Sequence, residues 1–334
     1  MKKAIVTGAN GFVGSAVVRE LLAHGIQVVA LVHGNHCDRL PEESDALTIL
    51  PMRLEAIADL RAPLTDSDYD AFYHFAWKGS AGASRSDPRL QLANVQWTVE
   101  ALKLAHDIGC RRFVGAGSIM EQEVQTAVRT QGSRPGLGYI YGGSKAAAHM
   151  LCMSVAANLG IGLVWTQITN AYGIGEVSPR MVNTTIRKVL AGEPPQFTAG
   201  TQNYDFVYID DVARAFRLIG EKGKPFYSYL IGSGTARPLR EFLLEMKAAI
   251  APDMDFVFGD LPFTGTNLPL SAFDVGETQR DTGFRANISF AEGTKRTRDW
   301  MIEKQMSSGG VLCRKVTTDK AFSWNLVFEK ARVA

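Results

Sequence analysis

The sequence predicts an α/β protein with a doubly wound parallel sheet and a smaller, mostly helical second domain. Short buried strands alternate with helical segments along the first half of the chain, which favours parallel strands joined by crossover helices. A glycine-rich turn joins the first strand to the first helix, as in sheets that bind a ligand beyond their carboxyl ends. The length of 334 residues is long for one core and fits one large domain or two smaller ones that share a cleft.

The composition excludes several classes of protein. Lysine and arginine number 36 and aspartate and glutamate 34, so a formal charge of +2 offers little attraction to nucleic acid or an anionic membrane. No apolar run approaches the roughly 20 residues of a membrane-spanning helix. The 4 cysteines are scattered without a CxxC pair, which argues against a disulfide framework or a metal site. We therefore expect a cytoplasmic protein with no nucleic-acid, membrane or metal partner.

The N-terminal segment has the pattern of a strand, a turn, a helix and a second strand. Residues 3–7 form a short apolar run, apolar residues then recur at helical spacing up to Gly25, and residues 28–32 form a second buried strand. Further strands are predicted at 70–76, 112–117, 161–168 and 227–231, and helices at 90–107, 141–159 and 210–221.

The turn between the first strand and the first helix is predicted to bind a pyrophosphate. Glycines permit a tight turn and close approach of the backbone, and the helix N-terminus offers N–H donors and the positive end of its dipole. A glycine pattern alone is weak evidence, but this one follows a strand and opens a helix. The cofactor-binding candidates in the turn are Thr7, Gly8, Asn10, Gly11, Phe12, Val13 and Gly14.

The end of the second strand indicates which dinucleotide is bound. A carboxylate there would bind the adenosine ribose and favour NAD, but Val32 is followed by His33. His33 and Arg39 are candidates for contacting a 2′-phosphate instead. The sequence therefore favours NADP(H), with NAD(H) as the alternative.

Three side chains later in the chain form a candidate catalytic site. Ser118 follows a predicted strand, so it lies at the carboxyl end of the sheet. Tyr141 and Lys145 occupy one face at the start of a predicted helix. We expect the lysine charge to lower the pKa of the tyrosine, which then exchanges a proton with a substrate oxygen that Ser118 orients.

Together these motifs resemble the extended short-chain dehydrogenases/reductases, in the branch that modifies nucleotide sugars. The glycine turn and the serine, tyrosine and lysine match that family in the same order along the chain. In the family Tyr141 and Lys145 would also contact the cofactor. Further matching positions are Phe75, Ala76 and Asn94 beside the cofactor, and Asn170 and Tyr204 beside the substrate.

The resemblance implies a division of the chain and an assembly. A Rossmann-type doubly wound sheet that binds NAD(P) is expected at 1–172, with 204–232 returning to it. A smaller, mostly helical substrate domain is expected at 173–203 and 233–306, and the family also implies a homodimer. Residues 307–334 fall outside the resemblance, and their partly alternating pattern suits a strand or hairpin.

The sequence departs from this family where a diphosphate is normally bound. Tyr204, Thr264 and Gln167 stand where the family carries arginine, and neutral side chains cannot form a bidentate ion pair with phosphate. The predicted substrate-binding residues are Lys78, Ser118, Glu121, Asn170, Arg180 and Tyr204.

The resemblance implies an NAD(P)-dependent oxidoreductase. We expect it to reduce the C4 ketone of a nucleoside-diphosphate-4-keto-6-deoxysugar, with Tyr141 as general acid. The alternatives are an NAD-dependent nucleotide-sugar 4-epimerase and a reductase of a non-nucleotide carbonyl compound. A 4,6-dehydratase is disfavoured, because that branch carries an Asp-Glu pair where Ile119 and Met120 stand here. A non-catalytic, cofactor-sensing protein is disfavoured because Ser118, Tyr141 and Lys145 are all retained.

Overall fold

A parallel sheet of 7 strands forms the centre of the protein in the computed structural model, which describes residues 1–64 and 68–307. In chain order the strands are β1 Lys3–Thr7, β2 Gln27–His33, β3 Leu47–Met52, β4 Ala71–His74, β5 Arg112–Ser118, β6 Gly162–Ile168 and β7 Tyr227–Ile231. Their order across the sheet is β7-β6-β5-β4-β1-β2-β3, so the connections reverse direction between β1 and β4. Such a switch point leaves a crevice beyond the carboxyl ends of the strands.

Helices cover both faces of this sheet. They are α1 Phe12–Ala23, α2 Pro88–Asp107, α3 Met120–Arg129, α4 Tyr139–Leu159, α5 Met181–Leu190, α6 Ile209–Lys222, α7 Leu239–Ile250, α8 Gly276–Thr282 and α9 Phe290–Ser307. Ala4 and Val6 of β1 pack in the core beneath α1 and α6, whereas Ile5 packs beneath α2 and α4. Strands covered on both faces are apolar throughout, which is why their sequence pattern is clear. The predicted doubly wound α/β sheet is confirmed.

The observed elements extend or add to the predicted ones. α2 begins at Pro88 because the carboxylate of Asp87 accepts hydrogen bonds from the N–H groups of Arg89 and Leu90. The edge strand β3 was not predicted, since only its end residues are buried and it lacks a continuous apolar run. The half-exposed helix α3, directly after Ser118, was also missed.

The chain outside the main sheet forms helices and short strand pairs. The pairs are Asn170–Tyr172 with Phe206–Tyr208, Gln196–Phe197 with Val257–Phe258, and Asn203–Tyr204 with Arg237–Pro238. The ring of Phe206 contacts Phe242 of α7 and Phe290 of α9, so these helices share a core with the segment that returns to the sheet. The exact division into two domains stays a prediction.

Two further expectations concern the chain ends and surroundings. α9 ends at Ser307, and the strand or hairpin expected after it lies outside the described residues. Within residues 1–64 and 68–307, the helices are all too short or too polar to cross a membrane. The same residues contain no group of 3 or more side chains suited to holding a metal ion.

Candidate active site

The glycine turn between β1 and α1 leaves no room for larger side chains. Gly8 has a φ of +63°, and a Cβ atom there would lie 2.8 Å from the backbone nitrogen of Ala76. A Cβ atom on Gly14 would lie 2.2 Å from the carbonyl oxygen of Gly8. The Gly11 N–H donates to that same carbonyl oxygen at 2.9 Å. The turn is therefore folded tightly on itself and against the end of β4.

The N-terminus of α1 fits the pyrophosphate of a dinucleotide. Gly11 precedes the helix and has no side chain to cap it, so the first helical N–H groups are available to a ligand. Phe12 and Val13 pack against the core and anchor this end of the helix. The residues present thus provide the close backbone approach and the donors that a dinucleotide cofactor needs.

Thr7 and His74 fasten the turn to β4. The Oγ1 atom of Thr7 lies 2.9 Å from Nδ1 of His74 and accepts a hydrogen bond from the Ala76 N–H at 3.3 Å. Burial lowers the pKa of His74 to about 3, so its ring is neutral at physiological pH. The Phe75 ring packs edge-on against Phe216, with centroids 4.7 Å apart. The backbone of Phe75 and Ala76 therefore packs directly against Gly8 of the turn.

The loop after β2 brings a carboxylate as well as cations towards the glycine turn. Asn10 donates to Asp38 Oδ1 at 2.7 Å and accepts from the Arg39 N–H at 2.9 Å. The hydrogen bond from Asn10 lowers the pKa of Asp38. Arg19 of α1 donates to the carbonyl oxygen of Arg39 at 2.9 Å. The sequence pointed to His33 and Arg39 but missed Asp38, because this carboxylate follows a loop rather than the strand end.

β5 and α4 bring the three predicted catalytic residues together. Ser118 is the last residue of β5, and Tyr141 and Lys145 lie near the start of α4. The two α4 side chains are buried, with exposed fractions of 9% for Tyr141 and 6% for Lys145. A hydrogen bond with the Ser118 side chain favours the ionised form of Tyr141. The cluster lies at the carboxyl ends of the strands, where the sequence predicted it.

The charges around Tyr141 differ from the expectation. Burial raises the pKa of Tyr141, and the positive charges that oppose this rise are those of Arg85 and Arg180. The guanidinium carbon of Arg85 lies 4.3 Å from the centre of the Tyr141 ring, whereas the ammonium of Lys145 lies 6.0 Å from it. The expectation that Lys145 sets a low pKa for Tyr141 is therefore not met, because Arg85 is the closer cation.

Lys145 is held by the backbone and by an aromatic ring. Its Nζ atom donates to the carbonyl oxygen of Ala116 at 2.8 Å and lies 3.7 Å from the centre of the Trp77 ring. Burial lowers the pKa of Lys145 to about 7. This side chain is therefore near the midpoint of its titration at neutral pH.

Glu121 is a fully buried carboxylate directly behind Ser118. It accepts hydrogen bonds from the Ser118 N–H at 2.8 Å, the Trp165 indole at 3.2 Å and the Gln167 amide at 3.2 Å. Nδ1 of His149 lies 3.2 Å from Oε2 of Glu121, the oxygen that also accepts from Gln167. Donors of the protein core occupy its oxygens, and a contact of Glu121 with substrate stays a prediction. Its effect on the site is to position the backbone of Ser118 from behind.

Asn94 and Lys78 organise the loop after β4. Asn94 accepts from the Lys78 N–H at 2.7 Å and donates to the carbonyl oxygens of Lys78 and Leu90, both at 2.9 Å. The Lys78 ammonium pairs with Glu55 and lies 5.4 Å from the centre of the Trp97 ring. Both side chains are engaged within the protein, and the contacts of Asn94 with cofactor and of Lys78 with substrate stay predictions.

The other predicted substrate contacts divide into two groups. Asn170 donates to the carbonyl oxygen of Asp205 at 3.0 Å, so it joins two short strands. Arg180, just before α5, acts electrostatically on Tyr141 and therefore belongs to the catalytic cleft. Tyr204 faces the same cleft, and burial raises its pKa to about 12.

Two charged residues of the cleft were not singled out from the sequence. Arg85 lies in a short turn, Ala83–Ser86, and Glu123 lies on α3. Burial raises the pKa of Glu123 to about 7, although the charge of Arg85 opposes this rise. Both residues also act on Tyr204. Neither belongs to a recognisable motif, and only Gly79 and Gly82, which precede the Arg85 turn, mark that loop as having a fixed shape.

Comparison with known proteins gives the family and a relative. Residues 4–232 match the model of the NAD dependent epimerase/dehydratase family. The chain is 26% identical over 324 residues to a dTDP-glucose 4,6-dehydratase of Streptomyces niveus, and the match covers 89% of this chain and 92% of that protein.

Solved structures share the fold over most of the chain. The enzyme WbmF of Bordetella bronchiseptica, in complex with NAD+, has a TM-score of 0.74 and 21% identity, covering 92% of this chain and 94% of that one. The UDP-glucose 4-epimerase of Thermotoga maritima has a TM-score of 0.74 and 22% identity, covering 90% and 99%. Because the family match spans more than half of the residues, this chain belongs to the NAD dependent epimerase/dehydratase family and is an enzyme of the extended short-chain dehydrogenase/reductase type.

Proposed function

We propose that this enzyme reduces the C4 ketone of a nucleoside-diphosphate-4-keto-6-deoxysugar. The observation that supports this most is the chemistry around Tyr141, which combines a proton donor, a hydroxyl group and cations. The two positions directly after Ser118 hold no carboxylate: Ile119 is buried, and Met120 presents its sulfur to Arg85. Dehydration needs a carboxylic acid and a carboxylate there, so the site is better equipped for hydride and proton transfer alone.

The roles of the residues follow from their surroundings. A bound nicotinamide cofactor supplies the hydride to the ketone carbon. Tyr141 donates its proton to the developing alkoxide, and its raised pKa keeps it protonated at neutral pH, as a general acid requires. Ser118 donates to the same substrate oxygen. Lys145, anchored on the Ala116 carbonyl, would bind the nicotinamide ribose of the cofactor.

We also propose the domain division and assembly that the family implies. The nucleotide is bound by 1–172 with 204–232, and the sugar by 173–203 and 233–306. Exposed apolar side chains on α2 and α4 support a homodimer formed through these helices; they are Leu92, Met150 and Leu151, with exposed fractions of 63%, 69% and 48%. Light scattering at assay concentration tests this, and a monomer would contradict it.

A nucleotide-sugar 4-epimerase is the second candidate, and Asp38 favours it. This carboxylate is held against the glycine turn by Asn10, where it offers an acceptor for the ribose hydroxyls of NAD. His33 and Arg39 favour the 2′-phosphate of NADPH from the same loop. The identity of the bound cofactor therefore decides between the two functions.

The deciding experiment starts with the nucleotide content of freshly purified protein. Denaturation releases any bound cofactor, which mass spectrometry identifies, and the remaining protein is titrated with NADPH and NADH. Empty protein that consumes NADPH with dTDP-4-keto-6-deoxyglucose supports the reductase. Stoichiometric NAD together with interconversion of UDP-glucose and UDP-galactose supports the epimerase. Formation of a 4-keto-6-deoxysugar from dTDP-glucose contradicts both and indicates a dehydratase.

A further inference from the structure

The turn that carries Arg85 is shaped before any ligand arrives. The side-chain amide of Gln91, on α2, donates to the carbonyl oxygens of Gly79 at 2.9 Å and Ser84 at 3.0 Å. Asp87, directly after the turn, caps α2 through the Leu90 N–H at 3.2 Å. These bonds fix the backbone on both sides of Arg85, so its place in the cleft belongs to the fold.

The Arg85 side chain reaches the catalytic tyrosine. Its guanidinium carbon lies 4.3 Å from the centre of the Tyr141 ring, and one of its NH2 groups contacts the sulfur of Met120. The charges of Arg180 and Glu123 and the phenol of Tyr204 also act on it. Arg85 is therefore a cation directly beside the proposed proton donor.

The positive charge of Arg85 is not balanced by the protein. Among residues 1–64 and 68–307, no carboxylate lies within ion-pair distance of Arg85, and its buried Nε atom has no hydrogen-bond partner. Glu123, the acidic group that acts on it, is only partly ionised at neutral pH because burial raises its pKa to about 7. Arg180 adds a second positive charge nearby. A partly buried guanidinium with a fully buried, unpaired Nε is costly unless a ligand supplies the acceptor.

The usual diphosphate-binding positions cannot supply this ligand contact. Tyr204 is neutral, since burial raises its pKa to about 12. The amide of Gln167 donates to Glu121 at 3.2 Å and accepts from Gln122 at 2.9 Å, so it is fully engaged. Arg85 and Arg180 are therefore the cations on this side of Tyr141 that are available to an anion, since Lys145 is bonded to the Ala116 carbonyl on the other side.

We propose that Arg85 is an anion-binding residue of the substrate cleft and holds an oxyanion of the substrate beside Tyr141. The oxyanion is either the diphosphate or a carboxylate on the sugar, and a guanidinium forms two parallel hydrogen bonds with each. The bound anion gives Nε of Arg85 its missing acceptor. This proposal rests on a sugar-nucleotide substrate, but it is tested by binding and does not depend on turnover.

The experiment measures the affinity of the full-length enzyme for three ligands by calorimetry. The ligands are UDP, UDP-glucose and UDP-glucuronate. The variants are Arg85→Met, which removes the charge, and Arg85→Lys, which retains it without the two-pronged geometry. Arg89→Met, at an exposed arginine on the first turn of α2, is the matched control. Thermal unfolding without ligand accompanies every variant.

Each outcome is decisive. We expect Arg85→Met to weaken binding about tenfold or more, Arg85→Lys to weaken it less, and Arg89→Met to leave it unchanged. Equal weakening for all three ligands identifies the diphosphate, and weakening confined to UDP-glucuronate identifies a sugar carboxylate. Unchanged affinities in Arg85→Met overturn the proposal, as does a lowered unfolding temperature with unchanged binding, which would indicate a purely structural role. Failure of the proposed reductase shows separately, as absent turnover of keto sugars by an enzyme that still binds these ligands.

Discussion

The two sides of Tyr141 are built differently. On one side, the ammonium of Lys145 has a backbone acceptor in Ala116 and rests on the Trp77 ring. On the other side, the guanidinium of Arg85 meets an aromatic ring and a sulfur atom, and its Nε has no acceptor among the described residues. A cation satisfied by the protein is held in one place and orients a cofactor, whereas an unsatisfied cation is available to the substrate.

The largest effect is expected at the residue between the two cations. Tyr141→Phe removes the proton donor while keeping the ring that both cations face, so turnover should fall by roughly 10²–10⁴-fold. Steady-state kinetics measures this, and cofactor titration should show nearly unchanged affinity. The control is Tyr139→Phe, because the Tyr139 hydroxyl contacts Thr266 rather than the catalytic groups. Equal losses in both variants would contradict the assignment of the proton donor.

A substitution in the glycine turn should disturb only the cofactor side. A Cβ atom on Gly14 would lie 2.2 Å from the Gly8 carbonyl oxygen, so Gly14→Ala must displace the turn. We expect the displaced turn to lower stability by roughly 1–3 kcal/mol, the usual cost of overpacking, and to weaken cofactor binding. Gly138→Ala is the control, since its Cβ meets nothing within 4 Å and its φ is −60°. Unchanged cofactor affinity in Gly14→Ala would show that the turn does not hold the pyrophosphate.

Replacing the carboxylate behind Ser118 should affect stability more than binding. In Glu121→Gln, the amide oxygen can keep the bonds from Ser118 and Trp165, but the NH2 group then faces the donor of Gln167, which costs about 1–3 kcal/mol of unfolding free energy. Denaturant unfolding measures the loss, with Glu100→Gln on the surface of α2 as control. A stable variant that loses affinity for sugar nucleotide would instead support the predicted contact of Glu121 with substrate.

The smallest effect is a pH dependence on the substrate side. Below its raised pKa of about 7, Glu123 is neutral and no longer opposes an anion at Arg85, so affinity for UDP-glucose should rise a few-fold as pH falls from about 8 to 6. Lys145, with its pKa lowered to about 7, titrates in the same range. Burial raises the pKa of Tyr141 and of Tyr204, so neither of these neighbours ionises over this range.

The Glu123→Gln variant separates these two titrations. It should flatten the part of the pH dependence that belongs to Glu123 and leave only the part that belongs to Lys145. Calorimetry at several pH values measures both enzymes with UDP-glucose, whose diphosphate does not titrate in this range. An unchanged profile in Glu123→Gln would place its carboxyl outside the anion site.

The sequence predicts the cofactor side far better than the substrate side. Buried strands and the glycine turn are local patterns, so Lys3–Thr7 and the Gly8 turn could be located from neighbouring residues alone. Whether a polar side chain faces the cleft depends on partners distant in sequence. Asn94 and Glu121 matched expected positions, yet backbone and core donors engage them.

Arg85, in contrast, lies in the cleft but was not predicted from the sequence. It lies in a loop without periodicity, and its importance comes from the lack of an acceptor for its Nε in the described structure, which no sequence pattern contains. Asp38 was missed for a similar reason, since only the hydrogen bond from Asn10 brings it to the glycine turn. Sequence motifs identify the chemistry, and tertiary contacts decide which additional charges take part.

The attachment of the Arg85 turn to α2 has a consequence for how this enzyme can change. Gln91 bonds to the backbone carbonyl oxygens of Gly79 and Ser84, and Asp87 caps the helix that follows the turn. None of these bonds involves the side chain at position 85. A new residue there alters the charge offered to the substrate without altering the strands, the glycine turn or the proton donor. Substrate preference can therefore diverge, in evolution or by engineering, through single codon changes in this turn while the hydride chemistry is inherited intact.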